Sequence, residues 1–437
     1  MDVLDVLISR AYFPGVTTAV PSEVPSAKTS RRVKIAVAAA GISSFALLYA
    51  PQPVLPQLAA EYHLDPGSAS LAVSVATGAL AIAVLPIAVL SEVVGRRPMI
   101  LGSVILSVVF GLLVPLAPSY PALLAVRALQ GVAIAGFPGV AAAYLAERLG
   151  KAGVAAAVGA MIAGNTVGGM LGRLGSGFTA DALGWRGAMY VVAAVSLLCS
   201  AVTVVTLPRS ARREQGTFAL ASRGLGDQLR QVASGLATAV RRPVLLAQYA
   251  VALLAMGSFV ALYNAAGFRL TGEPLDLSPA IASLVFLAYA MGSVSSAAAG
   301  RLVARVGRTR ALIGSLLLTL AGAALTLPDS LPLVVLGFVI LTAAFFSAHA
   351  VANGWAAAEA PDGSRGQVSG LYTLSYYLGS SVGGAIGGYV YGHAGWSWLI
   401  GAVAIWLLLA VLAVAFGATR TSRATAKREQ GTFASVR

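Results

Sequence analysis

The residues able to do chemistry in this 437-residue chain are few, and they stand in apolar surroundings. Arg127 and Gln130 share a helix face inside "LLAVRALQGVAIAGF", where an arginine costs at least ~3 kcal/mol and is kept when it meets a cavity or a polar partner. Such a cation can bind an anionic solute group. It can equally hydrogen-bond a neighbouring helix or snorkel to the surface. Arg173, Gly177 and Asp181 are spaced by four on one face, with Gly177 open to a passing helix. Asp181 suits a proton site or a structural pair with Arg186. His349 and Asn353 lie one turn apart in "AFFSAHAVANGW", and histidine titrates in the useful pH range. A satisfied interhelical hydrogen bond is the commoner fate of such a residue. Tyr49, Gln52, Tyr263, Asn264, Tyr372 and Tyr376 add amphipathic groups that suit a neutral or weakly anionic organic solute, unless they belong to an interfacial aromatic belt.

What is missing narrows the classes. All 16 acids fall in loops, tails or span ends, which argues against a dedicated pump for lipophilic cations. The single cysteine, Cys199, lies in an apolar run, so neither a disulfide nor a cysteine metal site is expected. No ATP-binding loop, zinc spacing or nucleophile triad is present. The glycines of "GRLGSG" (172–177) fall within a membrane segment, so no cofactor and no enzyme chemistry are expected.

The elements that must position these residues are membrane helices. The chain is 58% hydrophobic and 11% charged, with a mean hydropathy of +0.82, whereas soluble domains carry about 25% charged residues. Twelve apolar segments can be drawn, at 35–58, 69–91, 98–117, 121–147, 153–179, 186–207, 243–268, 279–303, 310–327, 331–358, 367–391 and 394–416. They are spans 1 to 12 below. They divide into two six-helix halves, 35–207 and 243–416, between a tail (1–34), a polar linker (208–242) and a second tail (417–437). The net charge of +14 sits in short loops on one side, an orientation signal that places both termini in the cytoplasm and argues against nucleic acid as a partner. The first 30 residues lack the form of a signal peptide. Pro51, Pro53 and Pro56 should break span 1 and leave carbonyls in need of partners.

The halves repeat. "SFALLYA" (44–50) answers "SFVALYN" (258–264), "VGRR" (94–97) answers "VGRTR" (306–310), and "GNTVGGMLG" (164–172) answers "GSSVGGAIG" (379–387). "REQGTFA" occurs at 213–219 and 428–434, after the last span of each half. It marks the two-half architecture and is assigned no site. Parallel halves of this kind belong to rocking secondary transporters.

These motifs resemble the major facilitator superfamily over nearly the whole chain. "AVLSEVVGRR" (88–97) is similar to its G-x-x-x-D-R-x-G-R-R loop: Gly95, Arg96 and Arg97 match, Glu92 replaces the aspartate, and Ala88 and Val93 depart. The second copy keeps Gly300, Arg305, Gly307 and Arg308 but has Ala304 at the acidic place. "RALQG" (127–131) is similar to the family's buried-arginine motif. "GNTVGG" is similar to its antiporter glycine motif, with Asn165 where that motif has proline. "YAPQPVLPQLA" and "GRLGSGFTADALGWR" resemble a branch of bacterial drug and sugar efflux permeases.

The resemblance implies an all-α fold of twelve helices in two pseudo-symmetric bundles. It further implies a cytoplasmic latch at Glu92, Gly95, Arg96, Arg97, Arg305, Gly307 and Arg308, with proton coupling through Arg127. A proton-linked exporter of small organic solutes is the expected function, monomeric in the lipid bilayer of the bacterial plasma (inner) membrane. The alternatives are a facilitator or symporter for a neutral or anionic metabolite, with Arg127 as counter-ion, and a receptor without transport.

Overall fold

The computed structural model describes residues 27–208, 237, 239–361 and 364–434, and the regular structure among them is helical. In lipid no water satisfies the backbone, so apolar segments must close their hydrogen bonds internally as helices. Nine helices among the described residues are long and apolar enough to cross a membrane. Two of these, 156–206 and 366–418, have 51 and 53 residues, whereas a single crossing needs about 20. Each carries one glycine in the left-handed region, Gly184 (φ 64°) and Gly395 (φ 81°), where the chain can reverse between spans 5 and 6 and between spans 11 and 12. With Arg308–Ala324 as span 9, the helices accord with twelve crossings.

Span 1 breaks where the prolines fall. Helix Ala27–Tyr49 ends, a short 3-10 turn covers Gln52–Val54, and helix Leu55–Tyr62 completes the crossing. Two other irregularities have no counterpart in the expected segments. Span 4 is interrupted at Gly136 and Phe137, and span 8 begins as Pro279–Ser283 followed by a 3-10 stretch, Leu284–Ala288. The linker from 209 to 236, with the first "REQGTFA" copy, lies outside the described residues, while the second copy continues helix Arg365–Ala434.

Close crossings of small residues hold each half. Ideal Cβ atoms on Gly164, Gly168 and Gly172 of span 5 would come within 2.8 Å of backbone atoms of Ala38, Ile42 and Ala46 in span 1. Gly379, Gly383 and Gly387 of span 11 meet Leu253, Gly257 and Ala261 of span 7 in the same way. Lipid provides no hydrophobic drive between helices, so backbone approach through small residues is what gives these contacts their dispersion energy. The packing register between the halves is 215 residues, one more than the span 1 and span 7 sequence match implies.

Contacts between the halves gather at the end that carries Asp65. There Gly388 of span 11 packs on Pro66 and Ser70, Gly67 on Tyr389, and Gly177 of span 5 on Ser283 of span 8. Deeper in, the Ser381 hydroxyl donates to the Ser74 carbonyl at 2.7 Å. Asp65 caps span 2 by accepting from the Gly67 and Ser68 amides at 2.8 and 3.1 Å. Hydrogen bonds from the Ser68 hydroxyl and these amides hold its carboxyl below the ordinary aspartate range. Toward the opposite end the halves still touch where Gly370 approaches Leu85.

Two stability outcomes are expected. Gly383→Val forces a side chain into Gly257 and should sharply lower the yield of folded protein in detergent, whereas Gly159→Ala, with open space around it, should leave yield and melting temperature unchanged. Asp65→Ala should cost ~1 kcal/mol of stability. Because the folded carboxyl is depressed, that difference is fully present above the ordinary aspartate pKa and should disappear as pH falls through the folded value, as thermal melts across pH will show.

Candidate functional site

The missing N–H of Pro51 explains the first layer of the site. Without it, the Leu47 carbonyl one turn earlier has no helical partner. Arg127 of span 4 supplies one: its guanidinium donates to the carbonyls of Leu47 at 3.1 Å, Leu48 at 2.6 Å and Ala72 at 2.7 Å. It also donates to the Gln130 side chain, whose amide reaches the Ser107 carbonyl at 3.0 Å. Ser176 of span 5 donates to the Ala50 carbonyl at 2.7 Å. Four spans are thereby tied to the break in span 1. The adjacent cavity, lined by Leu47, Gly111, Arg127, Gln130 and Met189, measures about 10 Å³, room for about one water and for no organic solute. Among the described residues the partners of Arg127 are three carbonyls and the Gln130 side chain, the pattern of the structural alternative.

The second layer joins the halves. The break turns Gln52 inward, where its Nε2 donates to Asn264 Oδ1 of span 7 at 2.7 Å. Its Oε1 accepts from Arg173 Nε of span 5 at 2.5 Å, and Arg173 also reaches the Gly169 carbonyl at 2.9 Å. The Arg173 guanidinium lies over the rings of Tyr49 at 4.0 Å and Tyr289 at 4.3 Å. All three polar side chains are at most 2% exposed. Of the expected cavity residues, Tyr49, Gln52 and Asn264 therefore meet at one centre, with Arg173 among them.

An aromatic wall extends from this centre through the second half. Tyr289 packs on Phe259, Phe259 stacks on Phe345 at 4.1 Å, and Phe345 faces His349. His349 contacts Tyr376 at 4.7 Å, and its Nδ1 lies 3.0 Å from the Tyr372 hydroxyl. Tyr376, half-buried, packs against the cores of both halves. Other expected cavity residues lie outside the polar centre, although Tyr263 packs on Phe259 and Tyr289 of this wall. Tyr263 is wholly buried in the core of the second half, its hydroxyl 2.6 Å from Thr342 Oγ1. Asn165 abuts Gly41 at the crossing of spans 1 and 5, and Asn353 is exposed one turn beyond His349.

Asp181 does not pair with Arg186. Its Oδ2 accepts from the Ala280 amide at 3.3 Å, at the start of span 8 in the other half, while Arg186 pairs with Glu61. Gly177 does admit a crossing helix, span 8 at Ser283. In the two loop motifs, Gly95 (φ 99°) and Gly307 (φ 82°) make matching tight turns. Arg96 pairs with Glu147 at 2.8 Å rather than with Glu92, and Arg308 pairs with Glu359 at 3.8 Å. Arg97 reaches the Leu207 carbonyl at 3.4 Å, and Glu92 and Arg305 are exposed. Glu147, Glu359, Ser176 and Tyr289 were not singled out in the sequence. The two glutamates could have been, since each follows its arginine by 51 residues.

The Major Facilitator Superfamily profile matches residues 37–271 and 270–437. The MFS-type transporter YybF of Bacillus subtilis (strain 168) is 34% identical over 401 residues, 92% of this chain and 97% of that protein. The inner membrane transport protein YnfM of Escherichia coli (strain K12) is 36% identical over 381 residues, 87% of this chain and 89% of that one. Among solved structures, a bacterial homologue of the human lysosomal transporter Spinster, inward-facing and occupied, overlays with a TM-score of 0.71 at 16% identity, covering 89% of this chain and 96% of its own. The nucleoside transporter NupG overlays with a TM-score of 0.66 at 14% identity, over 88% and 99%.

Removing Arg127 should be severe. Arg127→Met takes the side-chain donor from three buried carbonyls, of which that of Leu47 has no helical donor, and should abolish recovery of folded protein, whereas Ser176→Ala removes the side-chain donor to one carbonyl and should cost ~1 kcal/mol in a detergent melt. A stable Arg127→Met protein would contradict the structural role.

Proposed function

The chain belongs to the Major Facilitator Superfamily and is a multi-pass membrane transporter, and from that premise we propose that it exports small organic molecules in exchange for protons. The solute site is the centre where Gln52, Asn264 and Arg173 join the halves, and that bridge is the observation that carries the reading. A site shared between rocking halves can be offered to either side in turn, which is the logic of alternating access. The halves are gathered at the Asp65 end. If the basic loops face the cytoplasm, as their charge asymmetry favours, this is an inward-facing state with both termini inside. The Spinster homologue that overlays is likewise inward-facing. Two features favour export with proton exchange: the antiporter-like glycines of span 5, and Asp181, a carboxylate on the closing contact with span 8. The latch at Glu92 belongs to the opposite state, in which the loop ends approach.

Arg127 as counter-ion, the basis of the facilitator reading, is disfavoured by its carbonyl partners.

Reconstituted vesicles test the export reading with solutes drawn from a growth screen of a deletion strain. An imposed pH gradient should drive solute movement, and movement under a solute gradient alone would replace export by facilitated diffusion. Glu92→Ala should lower transport severalfold without lowering insertion. Alternating access itself is tested by Ser74→Cys with Ser381→Cys, positions that meet across the halves where the Ser381 hydroxyl lies 2.7 Å from the Ser74 carbonyl. Oxidation should stop transport and reductant should restore it, while undiminished transport by the cross-linked protein would sink the rocking mechanism.

A further inference from the structure

Two arginines are buried among the described residues, and their hydrogen bonding differs in kind. A guanidinium has five N–H donors. Arg127 makes four hydrogen bonds, three of them to carbonyls. Arg173, 2% exposed, makes two among the described residues, to Gln52 and Gly169. Its faces are covered by Tyr49 and Tyr289, so the unused donors lie on its edge.

No carboxylate neutralises it among the described residues. Glu61, Asp65, Asp181, Glu273, Asp276 and Asp329 belong to the loops and span ends of the closed side, and Glu92, Glu147 and Glu359 to those of the other. A buried ion costs several kcal/mol, and a one-sided set of neutral partners leaves much of that cost standing. Cation–π contact offsets part of that cost when desolvated. The rest is recovered if an anion docks.

We propose that the transported solute is an organic anion with a planar apolar body, its oxyanion meeting the free edge of Arg173 and its body lying along His349 and Tyr376. This rests on the transporter reading and names its substrate class. Arg–oxyanion pairing is bidentate and strong in a site screened from water, and the aromatic wall from Tyr289 to Tyr376 offers ring faces and edges to a planar partner. A lipophilic cation would be repelled by the same centre.

Purified full-length protein in detergent is titrated with benzoate and 1-naphthoate, and with benzamide and benzylamine as neutral and cationic counterparts, reading the shift in melting temperature. The two carboxylates should stabilise, 1-naphthoate more than benzoate, and the amide and amine should not. Gln52→Glu places an isosteric carboxylate on Arg173, and Asn264, whose Nδ2 has no partner among the described residues, can turn its amide to donate to it. That variant should melt as high as the parent or higher and lose the carboxylate response. Arg173→Lys keeps the charge but not the fork, and should weaken carboxylate binding by about tenfold or more.

An unresponsive protein, an equal response to benzylamine, or a carboxylate response retained in both variants would each overturn the proposal. The cysteine cross-link reads alternating access without any of these probes. Failure of the substrate class is therefore distinct from failure of the transporter reading.

Discussion

The break in span 1 is the constraint from which the rest of the centre follows. A proline cannot donate, so Pro51 leaves a carbonyl that lipid cannot satisfy and protein must. Arg127 is buried because that carbonyl and its neighbours are there, and Gln130 is beside it to occupy a further donor and reach span 3. Held open in this way, the chain turns Gln52 toward the axis between the halves. The proline, the arginine and the amide are one device: remove the first and the second loses its partners, remove the second and the third loses its position.

The two halves repeat what packs them and diverge in what they carry. The glycine crossings recur at a constant offset, and so do the arginine–glutamate pairs at the loop ends. Span 7, the counterpart of span 1, runs unbroken from Pro243 to Thr271. It frees no carbonyl in mid-membrane, and where the first half has Arg127 the second uses a neutral bond from Tyr263 to Thr342. Both buried arginines thus belong to the first half and the aromatic wall belongs mostly to the second. A solute lying between them touches unlike chemistry on its two sides, so a symmetric scaffold can still orient it.

Much of the fold was legible because its causes are local. Apolar runs, proline positions, basic loops and glycine spacing each act within a few residues, and they led to the crossings, the break and the paired halves. The centre was legible in part. Gln52, Asn264 and Tyr49 stood out as polar or amphipathic groups in apolar runs, but Tyr289 carried no such mark and was missed. The roles of Arg127 and Arg173 depended on partners far along the chain, such as Leu48 and Gln52, which spacing on one helix cannot reveal. Asp181 and Arg186 are near in sequence and yet apart in pairing, because a left-handed glycine at 184 lies between them and turns the chain. Glu147 lies 51 residues from Arg96, and their partnership appears only when spans 3 and 4 are packed.

The strength of the contacts bears on how such a molecule can switch. The ion pairs named among the described residues, Arg96–Glu147, Arg186–Glu61, Arg269–Asp329 and Arg308–Glu359, each stay within one half. What crosses between the halves among the described residues is a neutral amide pair, a serine hydroxyl on a carbonyl, one carboxylate on a helix-start amide, the Arg173 guanidinium over the Tyr289 ring, and close contact of small residues. Interhelical hydrogen bonds in membranes are worth on average ~0.6 kcal/mol each, and two states interchange usefully only when they differ by a few kcal/mol. Strong pairs inside each half keep it rigid as it moves, and weak bonds between the halves let it move. A charge pair across the centre would reverse that order, and the lone cation of Arg173 leaves the place for a second charge to be filled by the solute.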